Sequence, residues 1–476
     1  MELFLDPNDR RPRSVQIYEQ LRDAIMEGRL TPPNRLAPTR TVAAELGVSR
    51  STVTEAYGRL SAEGYIEGHA GGGSVVSPLP VSPPRPRPSQ DVLAPTPRAA
   101  DITPYDPEPS IHATFDLRPG LVDPSLFPLA AWRRCMLRAL DQPPGKYGDA
   151  AGTQELRAAL AGWVTRSRGV VATADEVVVT SGAGHAIDLI ARVLLDPGAV
   201  VAVEEPGYPH VVELLRSQGL HVVGVPVDDQ GLVVDAIPSQ TRLVYATPSH
   251  QYPLGVVMSR RRRLALLDWA SSAGAAIVED DYDSEFRHTA RPLEPLQRLD
   301  RDGRVIYVGT FSKTLSPALR MGFLVAPRNL ILSICAIRQV IDWCPPVATQ
   351  VALAALIDDG HLDRHLRRSR AAYRERHRLL WDALGQSLRP GYRLLPAQAG
   401  LHVAVVAPEL PPDRLVLSFL QSRDLLIGSL RLTYHFTDPL AGFLVGFGAL
   451  PTQLVRTACR AFAQALAQVE ERHLSE

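Results

Sequence analysis

The sequence predicts an α/β protein of two folded domains, a small helix-rich domain followed by a much larger one built on a mostly parallel sheet. Its 476 residues exceed the usual size of one domain, and its hydrophobic content of 45% suits a globular chain. A stretch of 32 residues from Pro78 to Pro109 holds 11 prolines, a density that excludes helix interiors and central strands. Beyond it, short β-rich segments alternate with helical ones, as in a sheet covered by helices on both faces.

These features predict a small domain at residues 11–77, a Pro-rich linker at 78–113 and a large domain at 114–476. The PxxP spacing within the linker also allows an SH3-type ligand. A net charge of zero gives no global attraction to nucleic acid or to a membrane surface. No run of 18 apolar residues and no apolar signal core are present, so we expect a cytoplasmic protein without a membrane partner. The four cysteines form no CxxC pair, which predicts neither a disulfide framework nor a metal site.

The front domain begins with an amphipathic helix at SVQIYEQLRDAIM. The run TRTVAAELGVSRSTVTEAYGRL then predicts a helix to Leu46, a break at Gly47 and a second helix capped by Ser49, which is helix-turn-helix spacing. After Gly64, YIEGHAGGGSVVS predicts two short strands around a glycine-rich tip, the wing of a winged helix. A small protein-interaction module is the alternative, since residues 1–77 carry nine arginines against ten acidic residues.

The start of the second helix supplies the candidate DNA contacts. Side chains at that position can donate to phosphates and base edges, and residues 35–59 are locally positive. The run RLAPTRTVAAELGVSRSTVTEAYGRLSAEGYIE resembles the winged-helix domain of the GntR family of bacterial regulators, with Pro32-Pro33 and the wing GGGSVV as departures. We therefore expect double-stranded operator DNA as a partner. The candidate DNA-binding residues are Arg40, Ser49, Arg50, Ser51 and Thr52.

In the rear domain the β-rich runs EVVVTSG, AVVAVEEPGY, LVYATPSH, AAIVEDDYD and RVIYVGTFSK each end in polar or small residues. Because the carboxyl ends of parallel strands meet at one edge of a sheet, these residues share one crevice. The segment SGAG before a helix can hold a phosphate, and Thr310, Ser312 and Arg320 add donors for the same group. Asp280 can keep a pyridine nitrogen protonated, and Tyr282 can donate to a phenolate oxygen.

Lys313 is one of only two lysines in a chain with 51 lysines and arginines together. A lysine amine can lose its proton and form a Schiff base, whereas a guanidinium cannot. The chain thus offers partners for a phosphate, a pyridinium nitrogen, a phenolate oxygen and an aldehyde. Together they indicate pyridoxal 5′-phosphate as the cofactor. A nucleotide-binding α/β enzyme is the alternative, but neither GxGxxG nor GxxxxGK[ST] occurs.

From Phe115 onward the chain resembles fold-type I pyridoxal-phosphate aminotransferases, on motifs that include KYGDAAGTQELRAAL, VTSGAGHAIDLI, VEDDYDSEFR and YVGTFSKTLSPALRMGF. Together with the GntR-like head, the whole chain resembles the MocR/GabR subfamily of transcriptional regulators. The resemblance implies Lys313 as the internal-aldimine lysine, Asp280 as the pyridine partner, Tyr282 as the phenolate donor and Tyr208 as the stacking ring. It further implies phosphate contacts at Gly182, Ala183, Gly184, Thr310, Ser312 and Arg320, and a contact from Tyr147 to the neighbouring subunit's phosphate.

Two departures from the aminotransferase pattern bear on function. Tyr252-Pro253 replaces the enzymes' Asn-Pro, and AGFLVGFGAL lacks the arginine that usually binds the substrate α-carboxylate. Arg431 and His210 are the remaining candidates for an effector carboxylate. We expect a head-to-tail dimeric regulator whose effector is a small amine, an amino acid or the cofactor itself, with little or no sustained turnover. A working aminotransferase with an appended DNA-binding domain is the rival, and a purely structural cofactor is a third reading.

Overall fold

The computed structural model describes residues 3–7, 9–69, 73–78, 94–102, 113–141, 145–288, 294–407 and 410–473. The chain divides into two compact units, Met1–Pro95 and Thr96–Glu476. Most of the Pro-rich segment predicted as a linker, with its PxxP spacing, lies outside the described residues. Within its described part, a short helix, α4 below, starts at Pro97, where a proline in the first turn removes no helical hydrogen bond.

The first unit is a three-helix domain closed by a hairpin. Its elements are α1 (Arg13–Met26), α2 (Thr39–Leu46), α3 (Arg50–Ala62), β1 (Ile66–His69) and β2 (Gly73–Val76). Helix α2 ends at Gly47 in the left-handed conformation, and α3 begins where the Ser49 side chain accepts from the Thr52 amide. Ile17, Val53 and Leu60 are fully buried between the helices. Since β1 and β2 pair antiparallel, the predicted winged helix-turn-helix is confirmed.

The second unit is centred on an eight-stranded sheet with the order β4-β11-β10-β9-β8-β5-β6-β7. Five neighbouring strands, from β10 through β9, β8 and β5 to β6, pair parallel, and β11 and β7 are antiparallel to their neighbours. The strands are β4 (Val177–Thr180), β5 (Val200–Glu205), β6 (His221–Asp228), β7 (Gly231–Leu232), β8 (Thr241–Ala246), β9 (Ala276–Asp281), β10 (Val305–Thr310) and β11 (Gly322–Val325). The prediction of a mostly parallel sheet is confirmed.

Helices cover both faces of this sheet, because alternate strand residues point in opposite directions. Val201 packs in one apolar cluster with helices α7, α8 and α11, whereas Ala202 packs in another with α9 and α10. The helices of the unit are α4 (Pro97–Ala100), α5 (Leu129–Leu140), α6 (Gln154–Arg168), α7 (Ala183–Leu194), α8 (Pro209–Ser217), α9 (Arg260–Ala273), α10 (Leu296–Leu299), α11 (Arg328–Ile341), α12 (Val347–Asp358), α13 (His361–Ser387), α14 (Asp413–Ser422) and α15 (Val455–His473). Among the described residues, no helix combines the length and the apolar character needed to cross a bilayer.

A second, five-stranded sheet has the order β12-β13-β15-β14-β3. Its strands are β3 (Phe115–Leu117), β12 (Arg393–Leu394), β13 (His402–Val406), β14 (Leu425–Ser429) and β15 (Gly442–Gly446). Helices α13, α14 and α15 share its largest apolar cluster with the strands. The sheet brings residues near the C-terminus, including His402, to the crevice at the carboxyl ends of the central strands.

Candidate functional site

A cavity of about 240 Å³ lies at the carboxyl ends of β8, β9 and β10. It collects side chains that are far apart in the sequence, as expected for the crevice of an open parallel sheet. The predicted site residues among those that line it are Ala183, Gly184, Tyr208, His210, Asp280, Tyr282, Thr310, Ser312, Lys313 and Arg320. The structure therefore brings these ten predicted residues to one cavity.

One end of the cavity has the features of a phosphate site. Helix α7 begins at Ala183, and the guanidinium nitrogens of Arg320 lie 3.5 Å from the position that a Cβ on Gly182 would take. Gly182 has a φ of +98°, which side chains disfavour, and it caps the helix without being one of the lining residues. The Thr310 hydroxyl contacts the Ser312 hydroxyl at 3.0 Å. A helix N-terminus, a guanidinium and two hydroxyls suit a dianionic phosphate.

His210 belongs to this same end of the cavity. Its Nε2 lies 3.2 Å from the position of a Cβ on Gly184, in the first turn of α7. Burial first, and then the positive charge of Arg320, lower the pKa of His210. The ring can therefore contribute as a neutral hydrogen-bonding group beside the phosphate end.

Asp280 lines the cavity and has one unsatisfied carboxylate oxygen. Its Oδ2 accepts from the Tyr245 hydroxyl at 2.7 Å, whereas its buried Oδ1 has no hydrogen-bond partner among the described residues. Burial raises the pKa of Asp280 to about 7, against the lowering effect of the Tyr245 hydrogen bond. A buried carboxylate with one free oxygen is suited to accept from a protonated pyridine nitrogen. Tyr245, which sequence reasoning missed, orients it.

Lys313 donates from Nζ to the backbone carbonyl of Gly120 at 2.7 Å. Burial lowers the pKa of Lys313, which moves the amine toward its neutral, nucleophilic form. Gly120 has a φ of +82°, and a Cβ there would lie 2.7 Å from the lysine nitrogen. The glycine thus leaves room for the amine. It stands in the motif DLRPGLVDP, but no pattern in the sequence showed that it touches Lys313.

Three tyrosine rings also line the cavity. Tyr208 and Tyr252 meet edge to face with centroids 5.5 Å apart, and Tyr252 meets Tyr282 in the same way at 6.2 Å. Leu444, which is 1% exposed, belongs to the apolar cluster that these three tyrosines share. In the related enzymes this segment carries a carboxylate-binding arginine. Here the β15 segment contributes apolar packing instead.

Arg431 and Tyr147 are not among the residues that line this cavity. The Nε of Arg431 lies 2.9 Å from the Asp413 carboxylate, which orients the guanidinium toward α14. Tyr147 is 76% exposed and packs on the Trp343 ring with centroids 4.8 Å apart. Neither residue, as placed within a single chain, contacts the cofactor site.

The candidate DNA-binding residues lie around the start of α3. Arg40, Ser49, Arg50 and Ser51 are exposed, and Thr52 is half-buried. The Ser49 hydroxyl contacts the Ser51 and Thr52 hydroxyls at 2.7 and 2.8 Å. Both contacts belong to the helix cap, and the Nε of Arg50 donates to the Thr39 hydroxyl at 3.5 Å.

Comparison with known proteins agrees with both units. The family model "Aminotransferase class I and II" matches residues 122–432, and "Bacterial regulatory proteins, gntR family" matches residues 13–76. The chain is 34% identical to the probable rhizopine catabolism regulatory protein MocR of Rhizobium meliloti, over 98% of this chain and 96% of that protein. It is 32% identical to the pyridoxine biosynthesis transcriptional regulator PdxR of Corynebacterium glutamicum, over 94% and 95%.

Solved structures match the large unit. The multiple substrate aminotransferase of Thermococcus profundus covers 79% of this chain and 98% of its own, with a TM-score of 0.72 and 26% identity. The kynurenine aminotransferase of Pyrococcus horikoshii, solved in complex with PMP, covers 75% and 92%, with a TM-score of 0.70 and 27% identity.

Proposed function

Because the chain belongs to the MocR-type family of transcriptional regulators, which join a gntR domain to an aminotransferase class I and II domain, we propose that ligand chemistry in its large unit controls how its small unit binds DNA. The chain is a regulator with an aminotransferase-like domain, and its cofactor is pyridoxal phosphate. The observation that carries the proposal is the cavity that combines the buried amine of Lys313 with the free carboxylate oxygen of Asp280.

The lining residues fit this cofactor, group by group. When bound, pyridoxal phosphate supplies an aldehyde that a primary amine can attack and a ring that accepts electrons. In the proposed arrangement Lys313 joins the aldehyde, Asp280 accepts from the ring nitrogen and Tyr208 packs on the ring. Tyr282 donates to the phenolate oxygen. The phosphate lies among Gly182, Ala183, Gly184, Thr310, Ser312 and Arg320, and the geometry that supports this is the helix start beside the Arg320 guanidinium.

The gntR domain binds DNA, and we propose that the start of α3 reads the operator. Arg40 and Arg50 are exposed on the surface that carries the helix start. Because the apolar face of α3 is buried through Val53 and Leu60, its opposite face is available to the major groove. The chain works in the cytoplasm, where operator DNA is.

We also propose a head-to-tail dimer in which Tyr147 reaches the phosphate of the neighbouring subunit. Tyr147 and Trp343 form an exposed aromatic pair. Helix α11, which ends just before Trp343, exposes Leu332 and Val340 at 83% and 87%. Exposed apolar side chains of this size favour coverage by a second protein surface.

The proposed effector is a small amine, an amino acid or the cofactor itself, and it acts by favouring one of two arrangements of the dimer. Leu444 and its apolar neighbours stand on β15, the strand on which the related enzymes carry a guanidinium for the α-carboxylate, and this favours slow chemistry on common amino acids. A coupling of about 1–3 kcal/mol would change DNA affinity roughly 5- to 150-fold.

The test combines DNA binding with turnover. A duplex is selected from a random-sequence pool on cofactor-loaded protein, and its affinity is measured by fluorescence anisotropy with and without alkylamines, ω-amino acids and α-amino acids. Steady-state transamination is measured on the same panel, with Lys313→Arg protein as the control. Ligand-dependent affinity without sustained turnover is the expected result. Turnover at about 1–10³ s⁻¹, with an affinity that no ligand changes, would instead identify an aminotransferase with an appended DNA-binding domain.

A further inference from the structure

His250 is a buried residue that contacts two neighbours, Asp283 and the proposed cofactor residue Tyr282. Its Nδ1 lies 2.9 Å from the Tyr282 hydroxyl and 2.8 Å from Oδ1 of Asp283. Tyr282 and Asp283 line the cavity, and His250 is 2% exposed. Its other ring nitrogen, Nε2, is buried without a partner among the described residues. All the hydrogen bonds seen at this ring therefore meet at Nδ1.

A single ring nitrogen carries either one hydrogen or one lone pair. A lone pair on Nδ1 would face the lone pairs of the Asp283 carboxylate at hydrogen-bond distance, which is repulsive. A hydrogen on Nδ1 is attracted to both oxygens, so the hydrogen-bond pattern assigns the N–H to this position. Tyr282 then accepts through its oxygen, and its own hydroxyl hydrogen is free to point elsewhere.

We propose that His250 and Asp283 form a positioning pair that directs the hydroxyl hydrogen of Tyr282 into the cavity, toward the phenolate oxygen of pyridoxal phosphate. The inference rests on the proposed cofactor site and is independent of any control of DNA binding. The orientation of this hydrogen matters more for the phenolate oxygen than in the related enzymes, because Tyr252-Pro253 replaces their Asn-Pro. The amide donor of that asparagine is absent in this chain.

The surrounding chain fixes the ring of His250. Gly400 has a φ of +88°, and a Cβ on it would lie 2.1 Å from Cε1 of His250 and 2.6 Å from Oδ2 of Asp283. Only a glycine backbone fits against the pair. From β13, His402 packs on His250 with centroids 5.4 Å apart, and burial lowers the pKa of His402 to about 4, so this neighbour is neutral.

Two charged groups, Lys313 and Asp280, line the cavity together with Asp283. His288 and His377, whose charges would also act on His250, stack on each other, and burial lowers the pKa of both. Asp283 is thus the carboxylate in direct contact with the histidine. A change at His250 can reach the cofactor through Tyr282 or through the Asp283 carboxylate, whose charge raises the pKa of Lys313, so the test has to separate these two routes.

A double-mutant cycle on cofactor-loaded, full-length protein tests this route. The readout is the pH midpoint of the change in the visible absorption band, which reports the proton held between the lysine–cofactor linkage and the phenolate oxygen. Tyr282→Phe should raise the midpoint by on the order of 1 pH unit, because the oxygen loses a donor and becomes more basic. His250→Leu should move it in the same direction, and His250→Asn, which keeps an N–H, should restore most of the wild-type value.

The decisive comparison is His250→Leu made in the Tyr282→Phe background. We expect no further shift there, since the histidine acts through the phenol. A shift of equal size in both backgrounds, or no shift from His250→Leu in fully loaded protein, would overturn the inference. Should His250→Leu fail to fold, His250→Phe, which also removes the ring N–H, takes its place, with the same outcomes. If the wild type has a normal visible band and His250→Leu leaves the pH midpoint unchanged, only the positioning pair is refuted. If the wild type shows no visible band with the cofactor, the cofactor site itself is refuted.

Discussion

Replacing Asp280 by asparagine should affect the cofactor-free and the cofactor-loaded protein in opposite directions. Oδ1 of Asp280 is buried without a partner among the described residues, and burial raises the pKa of this carboxyl from 3.8 to about 7. Without cofactor, the charged form of Asp280 lowers the stability of the folded protein. With cofactor the same charge accepts from the ring nitrogen. Asparagine keeps the shape and cannot ionise, so it removes both effects.

The sign of the pH dependence follows from proton binding. Between pH 4 and 7 the folded cofactor-free protein holds the Asp280 proton and the unfolded chain does not, so this group makes the protein less stable as pH rises. At about 1.4 kcal/mol for each pH unit, the loss between pH 5 and 7 is on the order of 2–3 kcal/mol. In the loaded protein, losing one charge-assisted hydrogen bond of about 1.5–3 kcal/mol weakens cofactor binding roughly 10- to 150-fold.

The assay is denaturant unfolding of cofactor-free wild type and Asp280→Asn at pH 5, 6, 7 and 8, followed by cofactor titration in the visible band. The stability advantage of the variant should grow up to about pH 7 and then level off. Asp229→Asn, a change of the same chemistry at an exposed position, should show neither effect. A stability difference that stays flat across this range, or an unchanged cofactor affinity, would refute the reasoning.

Three further outcomes are expected. After unbound pyridoxal phosphate is removed, Lys313→Arg protein should lack the visible band of the wild type, and a cofactor adduct that borohydride can still reduce onto the protein would contradict the role of Lys313. Arg50→Ala and Arg40→Ala should each weaken operator binding by about 1–3 kcal/mol for a base contact, and less for a phosphate contact, with the visible band unchanged. Equal affinities at every salt concentration would exclude α3 as the reading helix. Gly120→Ala should reduce the rate at which the visible band forms, because its Cβ would lie 2.7 Å from Nζ of Lys313. Band formation at the wild-type rate would show that this space is not needed.

The sequence by itself determined the two domain types and the main chemical groups of the site. The alternation of β-rich and helical runs predicted the mostly parallel sheet, because periodicity is a local property of the chain. The cap at Ser49 and the break at Gly47 placed the helix-turn-helix, since both act within a few residues. Lys313 stood out because this chain otherwise uses arginine, and a guanidinium cannot replace an amine nucleophile.

Only the tertiary structure decided which groups act on those residues. Gly120 and Lys313 are 193 positions apart in the chain, and they meet because the loop after β3 and the segment after β10 end at one cavity. Tyr245 of β8 reaches Asp280 of the neighbouring strand β9, and His250 and Tyr282 meet in the segments that follow these two strands. The two pairs join residues 35 and 32 positions apart in the chain, so no pattern within a few residues could give them. Burial then sets the pKa values of Asp280 and Lys313, and burial is a property of the packed fold as a whole.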